Sequence, residues 1–110
     1  MKEIAKFMVM WRYNPMAPWP ADPTEIAKMW EMMWAGIDNN LKTGETLELG
    51  YFANATSGYG ISSGETKDQF RHAYSFYPFF DIEVHEIVPY ETGKEIMKGV
   101  MKAQAEAMKR

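Results

Sequence analysis

Hydrophobic side chains alternate along residues 4–13 with the period of two that is typical of a β-strand. One set of alternating positions consists of Phe7, Val9, Trp11 and Tyr13, and the other of Met8, Met10 and Arg12. Because both sets are largely apolar, we predict a central strand that is covered on both faces. The four prolines within residues 15–23 end this strand and predict an extended loop, which we expect to form the rim of a pocket.

The strongest helical period follows that loop. Asp22 and Pro23 form a typical helix start, and Gly44 supplies the stop. Apolar residues recur between them at spacings of three and four, which predicts one buried stripe. The stripe consists of Ile26, Met29, Trp30, Met33, Trp34, Ile37 and Leu41. Since paired Trp and Met side chains are bulky on a small sheet, we expect a slightly underfilled core with an apolar cavity.

The rest of the chain repeats this plan. Residues 46–53 and 59–62 predict two strands of a hairpin, and a second helix runs from residue 63 until Pro78 ends it. Its predicted buried stripe is Phe70, Ala73, Tyr74 and Tyr77. Residues 80–88 predict a last strand, and a capping-box pattern at Thr92 opens a final helix. The order predicts a single α+β domain over residues 1–110, a ferredoxin-like βαββαβ unit with an antiparallel sheet and an added C-terminal helix.

Two helices on one face of such a sheet leave the other face uncovered. The central strands are substantially apolar on both faces, and an exposed patch of that size is unusual in a soluble monomer. We therefore expect a homodimer or higher homo-oligomer in which a second subunit covers this face.

The segment YSFYPFFDIEV, residues 74–84, resembles the segment that muconolactone isomerase-like proteins place between their second helix and last strand. The resemblance covers roughly residues 44–86 and implies the dimeric α+β barrel superfamily. That superfamily also holds YCII-like proteins, cofactor-free monooxygenases and haem-degrading enzymes. The isomerases have carboxylates late in their first helix, where this chain has Met32, Met33, Trp34 and Ala35. Haem degradation requires an axial histidine on the second helix, and His72 lies beside the predicted stripe there, so we interpret it as solvated and expect no cofactor.

Composition narrows the classes of function. The net charge of −3 without a basic cluster argues against nucleic-acid binding. No window reaches the roughly 18 apolar residues of a membrane span, and the absence of cysteine does not favour an oxidising compartment. We therefore expect a cytoplasmic protein. Two isolated histidines without cysteine provide no metal-ligand pattern, so no metal is predicted.

His85 is the candidate for chemistry. It alternates with Glu83 and Asp81, so the three share one face of the last strand, where nearby carboxylates would favour a protonated imidazole. This face is either turned to water or projects into a pocket, between sheet and helices or between subunits. Candidate ligand-binding residues for that pocket are Trp11, Arg12, Tyr13, Tyr51 and Trp34.

These observations leave three hypotheses about function. The first is the binding of a small apolar or aromatic molecule between sheet and helices, which the surplus of ten Met, four Trp, six Tyr and six Phe favours. The second is a cofactor-independent isomerase or monooxygenase-like enzyme with His85 as acid or base. The third is a structural or interaction module.

Overall fold

The computed structural model of the protein describes residues 5–109, and within them the chain forms the predicted order of elements. The elements are β1 (Ala5–Tyr13), α1 (Pro23–Thr43), β2 (Thr46–Tyr51), β3 (Ser57–Gly64), α2 (Thr66–Ser75), β4 (Phe80–Ile87) and α3 (Tyr90–Met108). The predicted first strand residue, Ile4, lies outside the described residues. The α+β, ferredoxin-like arrangement with a C-terminal helix is confirmed.

The four strands form one antiparallel sheet in the order β2-β3-β1-β4. The register places Trp11 beside Gly58 of β3 and beside Ile82 of β4, so these three residues share a face. We call it the helix face, because α1 and α2 lie over it. We call the other side the open face. It carries Met8, Met10, Arg12, Glu48, Tyr59, Ile61, Asp81, Glu83 and His85.

Helix α1 follows its sequence signals closely. The side chain of Asp22 accepts a hydrogen bond from the Thr24 N–H at 2.9 Å, which satisfies one of the free donors of the first turn. Gly44 ends the helix with φ +86°, a left-handed conformation that glycine adopts without a steric penalty. The apolar stripe faces the sheet, with Met33 and Ile37 half-buried, but none of its residues is fully buried, and Trp34 and Leu41 are exposed.

Helix α2 is rotated relative to the prediction. Phe70, Tyr74 and Tyr77, expected to be buried, are exposed, with 73% of Phe70 accessible. Their rings stack in a row along the outside, with centroids 6.4 and 6.0 Å apart. The side that faces the sheet carries Gln69 and Ala73, the one half-buried member of the predicted stripe, and Phe76 follows directly after the helix. The prediction was wrong because two overlapping stripes pass through this short helix, and the more hydrophobic stripe is the outer one.

Helix α3 extends away from the rest of the domain. None of its residues is buried, and the half-buried ones, Gly93 and Lys94, lie near its start. The predicted capping box at Thr92 is also wrong, because the helix begins earlier, after Pro89, without a side-chain cap. The projecting helix makes the described chain about 70 Å long and only 32 Å across.

The core beneath the helices is small and aromatic. Among the described residues, the buried hydrophobic side chains are Phe7 and Phe80. Phe80 meets the edges of Trp11 and Trp30 with ring centroids 5.7 Å apart in both pairs. Trp19, from the proline-rich loop, stacks on Tyr13 at 4.7 Å and covers one end of this cluster. Edge-to-face and offset packing of this kind suits aromatic quadrupoles but leaves gaps between the large rings.

Candidate ligand pocket

A cavity of about 100 Å³ lies between the helix face of the sheet and helices α1 and α2, and it is partly open to solvent. Its floor is formed by alternate side chains of all four strands, and its walls by the inner sides of the two helices. The floor includes Val9, Trp11, Leu49, Tyr51, Ile82 and Val84. The walls include Trp30, Met33, Trp34, Ile37, Ala73 and Phe76. The expected apolar cavity is therefore present, and its lining is predominantly hydrophobic.

Trp11 lies on the floor of the pocket because the neighbouring strand leaves room for its indole. A Cβ atom at Gly58 would lie 2.6 Å from Trp11 Cε2 and even closer to Cζ2, so no other residue fits beneath the ring without displacement. Tyr51 and Phe80 meet the indole edge-to-face, with centroids 5.5 and 5.7 Å away. The Tyr51 hydroxyl in turn accepts a hydrogen bond from Trp34 Nε1 at 3.2 Å, which links α1 to the sheet.

Two polar groups of the pocket lack a partner. Gln69 is 3% exposed, and its Oε1 accepts a hydrogen bond from the Ser62 hydroxyl. Its Nε2 and the indole Nε1 of Trp11 are buried without an acceptor among the described residues. A buried donor without a partner is costly, because it loses its hydrogen bonds to water without replacement. Both residues line the pocket, but these two nitrogens have almost no accessible surface, so they are covered by protein atoms.

His72 also lines the pocket, contrary to its interpretation as a solvated residue. Its side chain is largely covered, and Nε2 lies 3.2 Å from Glu45 Oε2, on the loop before β2. The carboxylate fixes the orientation of the imidazole at the pocket wall.

The ligand-binding residues predicted from sequence divide into two groups. Trp11, Tyr51 and Trp34 line the pocket. Tyr13 shares the helix face but lies against Trp19 outside the lining. Arg12 lies on the open face, 3.4 Å from Asp81, and both side chains are mostly exposed. Arg12 is therefore not placed to orient a ligand in this pocket.

His85 also lies on the open face, beside Met8 of β1. Its Nε2 is 2.9 Å from Glu83 Oε2, and both side chains are exposed. The register therefore excludes the space between sheet and helices, and in this structure the face that carries His85 is turned to water.

The open face contains one group with a shifted pKa. Tyr59 Oη donates to Glu48 Oε2 at 2.6 Å, and Phe52 stacks on the tyrosine ring at 6.1 Å. This hydrogen bond, with smaller contributions from desolvation and from the carboxylate charge, raises the pKa of Tyr59 above its ordinary value of 10.0.

Sequence reasoning missed Gln69, Ser62 and His72. The sequence contained a signal in the positions of two polar residues. Ser62 lies on the same face of β3 as Gly58 and Gly60, and Gln69 lies one turn before Ala73 on α2.

No cluster of three potential metal ligands occurs within residues 5–109. Among the helices of that range, none combines the length and hydrophobicity required to cross a membrane.

Comparison with known proteins assigns the chain to no family. No protein-family model matches the sequence, and no curated protein matches it significantly. The ferredoxin-like architecture and the pocket geometry are therefore the basis for assigning a function.

Proposed function

We propose that the protein binds a small apolar or aromatic molecule in the pocket between the sheet and helices α1 and α2. The observation that carries this proposal is the cavity itself, which is bounded by Trp11, Trp30 and Trp34 and lies over a small core. Pockets with a mostly apolar lining and a few convergent polar groups are typical of small-molecule sites. Filling such a cavity removes apolar surface from water and restores the dispersion contacts that the lining lacks.

The size of the cavity limits the ligand. A closed apolar cavity of about 150 Å³ holds one benzene molecule, and this one, at about 100 Å³, is partly open at one side. A single planar ring with a short substituent that extends toward the opening is the expected shape.

A substitution that fills the pocket tests the proposal. Ala73 is half-buried on the pocket wall, so Ala73→Phe should occupy the cavity and abolish binding. The matched control is Ala35→Phe, because Ala35 is exposed on α1 and does not line the pocket. A panel of single-ring aromatic compounds should raise the melting temperature of the wild type and of the control variant, but not that of Ala73→Phe. Equal responses in all three proteins would contradict the proposal.

We further propose that the protein is a homodimer in which the open faces of two sheets pack together, as in the dimeric α+β barrel superfamily. Support comes from the apolar side chains at the centre of the open face, where Met8, Tyr59 and Ile61 are half-buried and Met10 is 40% exposed. A second subunit would remove this patch from water.

Light scattering tests the dimer. Met10→Glu places a carboxylate at the centre of the proposed interface. Because burying an unpaired charge is costly, the dimer should dissociate and the measured molecular mass should fall by half. Met16→Glu is the control, since Met16 is 88% exposed on the loop after β1. A wild-type monomer, or a dimer unaffected by Met10→Glu, would exclude this arrangement.

The alternative of a cofactor-independent enzyme is supported by one observation, the short contact between His85 and Glu83 on the face that the proposed dimer would cover. A carboxylate-oriented imidazole is a common general acid or base.

A further inference from the structure

We infer that two copies of the chain exchange their C-terminal helices, so that α3 of each copy packs on the outer side of α2 of the other. The surface beside α2 is the aromatic row, which consists of Phe70, Tyr74 and Tyr77. The surface on α3 is the apolar α3 stripe, which consists of Ile96, Met97, Val100 and Met101. Both surfaces lie outside the pocket and away from the centre of the open face, so the inference depends on neither proposal above.

Both surfaces are uncovered within one chain. The aromatic row is about 70% exposed at each of its three residues, and every residue of the α3 stripe is more than half exposed. Helix α3 has no buried residue along its length, because it extends away from the domain that carries α2. Contiguous apolar surfaces of this kind mark interaction sites in soluble proteins. One chain therefore presents two such surfaces that its own fold does not bring together.

The aromatic row also borders a groove. Its rings form one side of a shallow groove of about 320 Å³, and Asp81 and Ile82 of β4 lie on the other side. Because β4 is an edge strand of the sheet, no further strand flanks the groove within the chain. An apolar groove that receives the apolar side of an amphipathic helix is a recurring mode of recognition.

The aromatic row and the α3 stripe have matching helical spacing. Phe70 and Tyr74 are four residues apart on α2, and their ring centroids lie 6.4 Å apart. The α3 stripe contains two parallel ridges with the same spacing of four residues, one ending at Val100 and the other at Met101. Since residues four apart rise by about 6 Å along a helix, the aromatic ridge fits between the two ridges of α3, as in the commonest class of helix packing.

The side-chain chemistry of the two surfaces is complementary. The two methionines of the α3 stripe would meet aromatic rings, and contacts between methionine sulfur and aromatic rings are favourable. The border of the groove carries the exposed carboxylate of Asp81, whereas Lys94 and Lys98 border the α3 stripe on one side. An anionic membrane is a poorer partner, because the three lysines of α3 are balanced by three glutamates and give no net attraction to lipid headgroups.

The area available matches that of a stable interface. Aromatic side chains bury about 150–250 Å² each, so three rings that are about 70% exposed offer about 300–500 Å². If α3 covers the whole row with an equal area of its own, the two symmetric contacts together bury about 1,200–2,000 Å², the range of specific protein interfaces. A single contact of this kind would fall below that range. Reciprocal exchange between two copies is therefore the arrangement that the area favours.

Disulfide cross-linking tests the contact directly, because the chain contains no cysteine of its own. Tyr74→Cys protein is mixed with an equal amount of a variant that has cysteine at one position of the α3 stripe, taking the four positions in turn. Each chain then has a single thiol, so a disulfide between the two positions forms only between two chains. At least one pair should yield a cross-linked dimer on mild oxidation, identified by mass spectrometry. The control pairs Tyr74→Cys with Met32→Cys, since Met32 is 75% exposed on α1 and belongs to neither surface.

The strength of association provides a second measurement. Val100→Glu places a carboxylate in the α3 stripe, and it should raise the dimer dissociation constant about tenfold or more, as sedimentation at a series of concentrations would show. The control is Gly99→Glu, because a side chain at Gly99 meets nothing within 4 Å and points about 100° away from Val100 around the helix. This variant should leave the dissociation constant unchanged. Circular dichroism verifies that both variants retain the helix.

The outcomes separate this inference from the dimer through the open face. If no pair cross-links above the Met32→Cys control, or if the two glutamate variants associate equally well, the helix exchange is overturned, even if Met10→Glu dissociates the dimer. If Val100→Glu weakens association and Met10→Glu does not, the helix exchange is supported and the open-face dimer is excluded. A wild type that is monomeric at every concentration would overturn both.

Discussion

The close packing of Gly58 beneath the Trp11 indole can be tested by substitution. Gly58 and Gly60 are neighbouring positions of β3 on the helix face, and both are buried. A Cβ atom at Gly58 would lie 2.6 Å from Trp11 Cε2 and would also meet the backbone oxygen of Gly50. At Gly60 the nearest atom would be Glu48 O at 3.6 Å, an ordinary contact.

Alanine substitution at the two sites should therefore have opposite consequences. Restoring a contact of 3.4 Å at Gly58 requires a displacement of more than 0.8 Å, because Trp11 Cζ2 and the Gly50 oxygen lie even closer to the added Cβ atom than Cε2 does at 2.6 Å. Backbone oxygens cannot rotate away, so Gly58→Ala should cost about 1–3 kcal/mol of unfolding free energy, as overpacking does. Gly60→Ala should be neutral or stabilising by up to about 1 kcal/mol, because alanine reduces the entropy of the unfolded chain. Both variants have this entropic gain, so the difference between their free energies of unfolding isolates the steric effect at Gly58.

Urea denaturation followed by circular dichroism, at one protein concentration, measures this difference. The m-values should be equal, and each kcal/mol should correspond to about 4–8 °C in melting temperature for a domain of this size. Gly58→Ala should also change the near-ultraviolet signal of Trp11 and weaken ligand binding. If the two variants are equally stable, the indole does not lie over Gly58 and the floor of the pocket has been placed incorrectly.

Three further predictions concern single groups. Asp22→Ala should destabilise the protein by about 0.5–2 kcal/mol because the Thr24 N–H loses its cap, whereas Asp22→Asn keeps an acceptor and should cost less. The midpoints of urea denaturation of the two variants measure this difference, and equal midpoints would contradict the capping role. Glu48→Gln should lower the raised pKa of Tyr59 toward 10.0, because a carboxylate no longer opposes formation of the phenolate. The pKa is measured by absorbance during an alkaline titration, and the Tyr59→Phe variant gives the signal of the other tyrosines. If the hydrogen bond were absent, Glu48→Gln would leave the pKa of Tyr59 unchanged. His85→Ala should change the free energy of unfolding by less than about 0.5 kcal/mol, as expected for an exposed pair. The enzyme hypothesis requires that the same variant lose turnover. A large loss of stability would instead assign His85 a structural role.

The elements that the sequence predicted well are those with a single consistent signal. Helix α1 combines one apolar stripe with a capping aspartate and a terminal glycine, so its position and orientation follow from local chemistry. Strand β4 alternates strictly, which places Asp81, Glu83 and His85 together on one face. Strand β3 was predicted too short, as residues 59–62, because glycine weakens an isolated strand, whereas pairing with neighbours on both sides extends it to Ser57–Gly64.

The polar part of the pocket could not be predicted in the same way. Helix α2 has two overlapping stripes that share Ala73, and hydrophobicity favours the one containing Phe70 and Tyr74. The hydrogen bond between Ser62 and Gln69 joins the other stripe to the sheet, and it depends on a contact between two elements. Tertiary contacts of this kind have no periodic signature in sequence, so Gln69 was not recognised as a pocket residue and His72 was interpreted as solvated.

The projecting helix α3 should unfold locally while the rest of the domain stays folded. A helix of 19 residues without buried side chains is held mainly by its own hydrogen bonds, because it lacks the tertiary packing that supplies most helical stability in proteins. Its backbone amides should then exchange with deuterium through local fraying, well before those of β1 and β3, which require the sheet to separate. If the exposed methionines of α3 are covered in a larger assembly, that assembly should slow exchange across the whole helix, and the degree of protection would report how much of the protein is assembled at a given concentration.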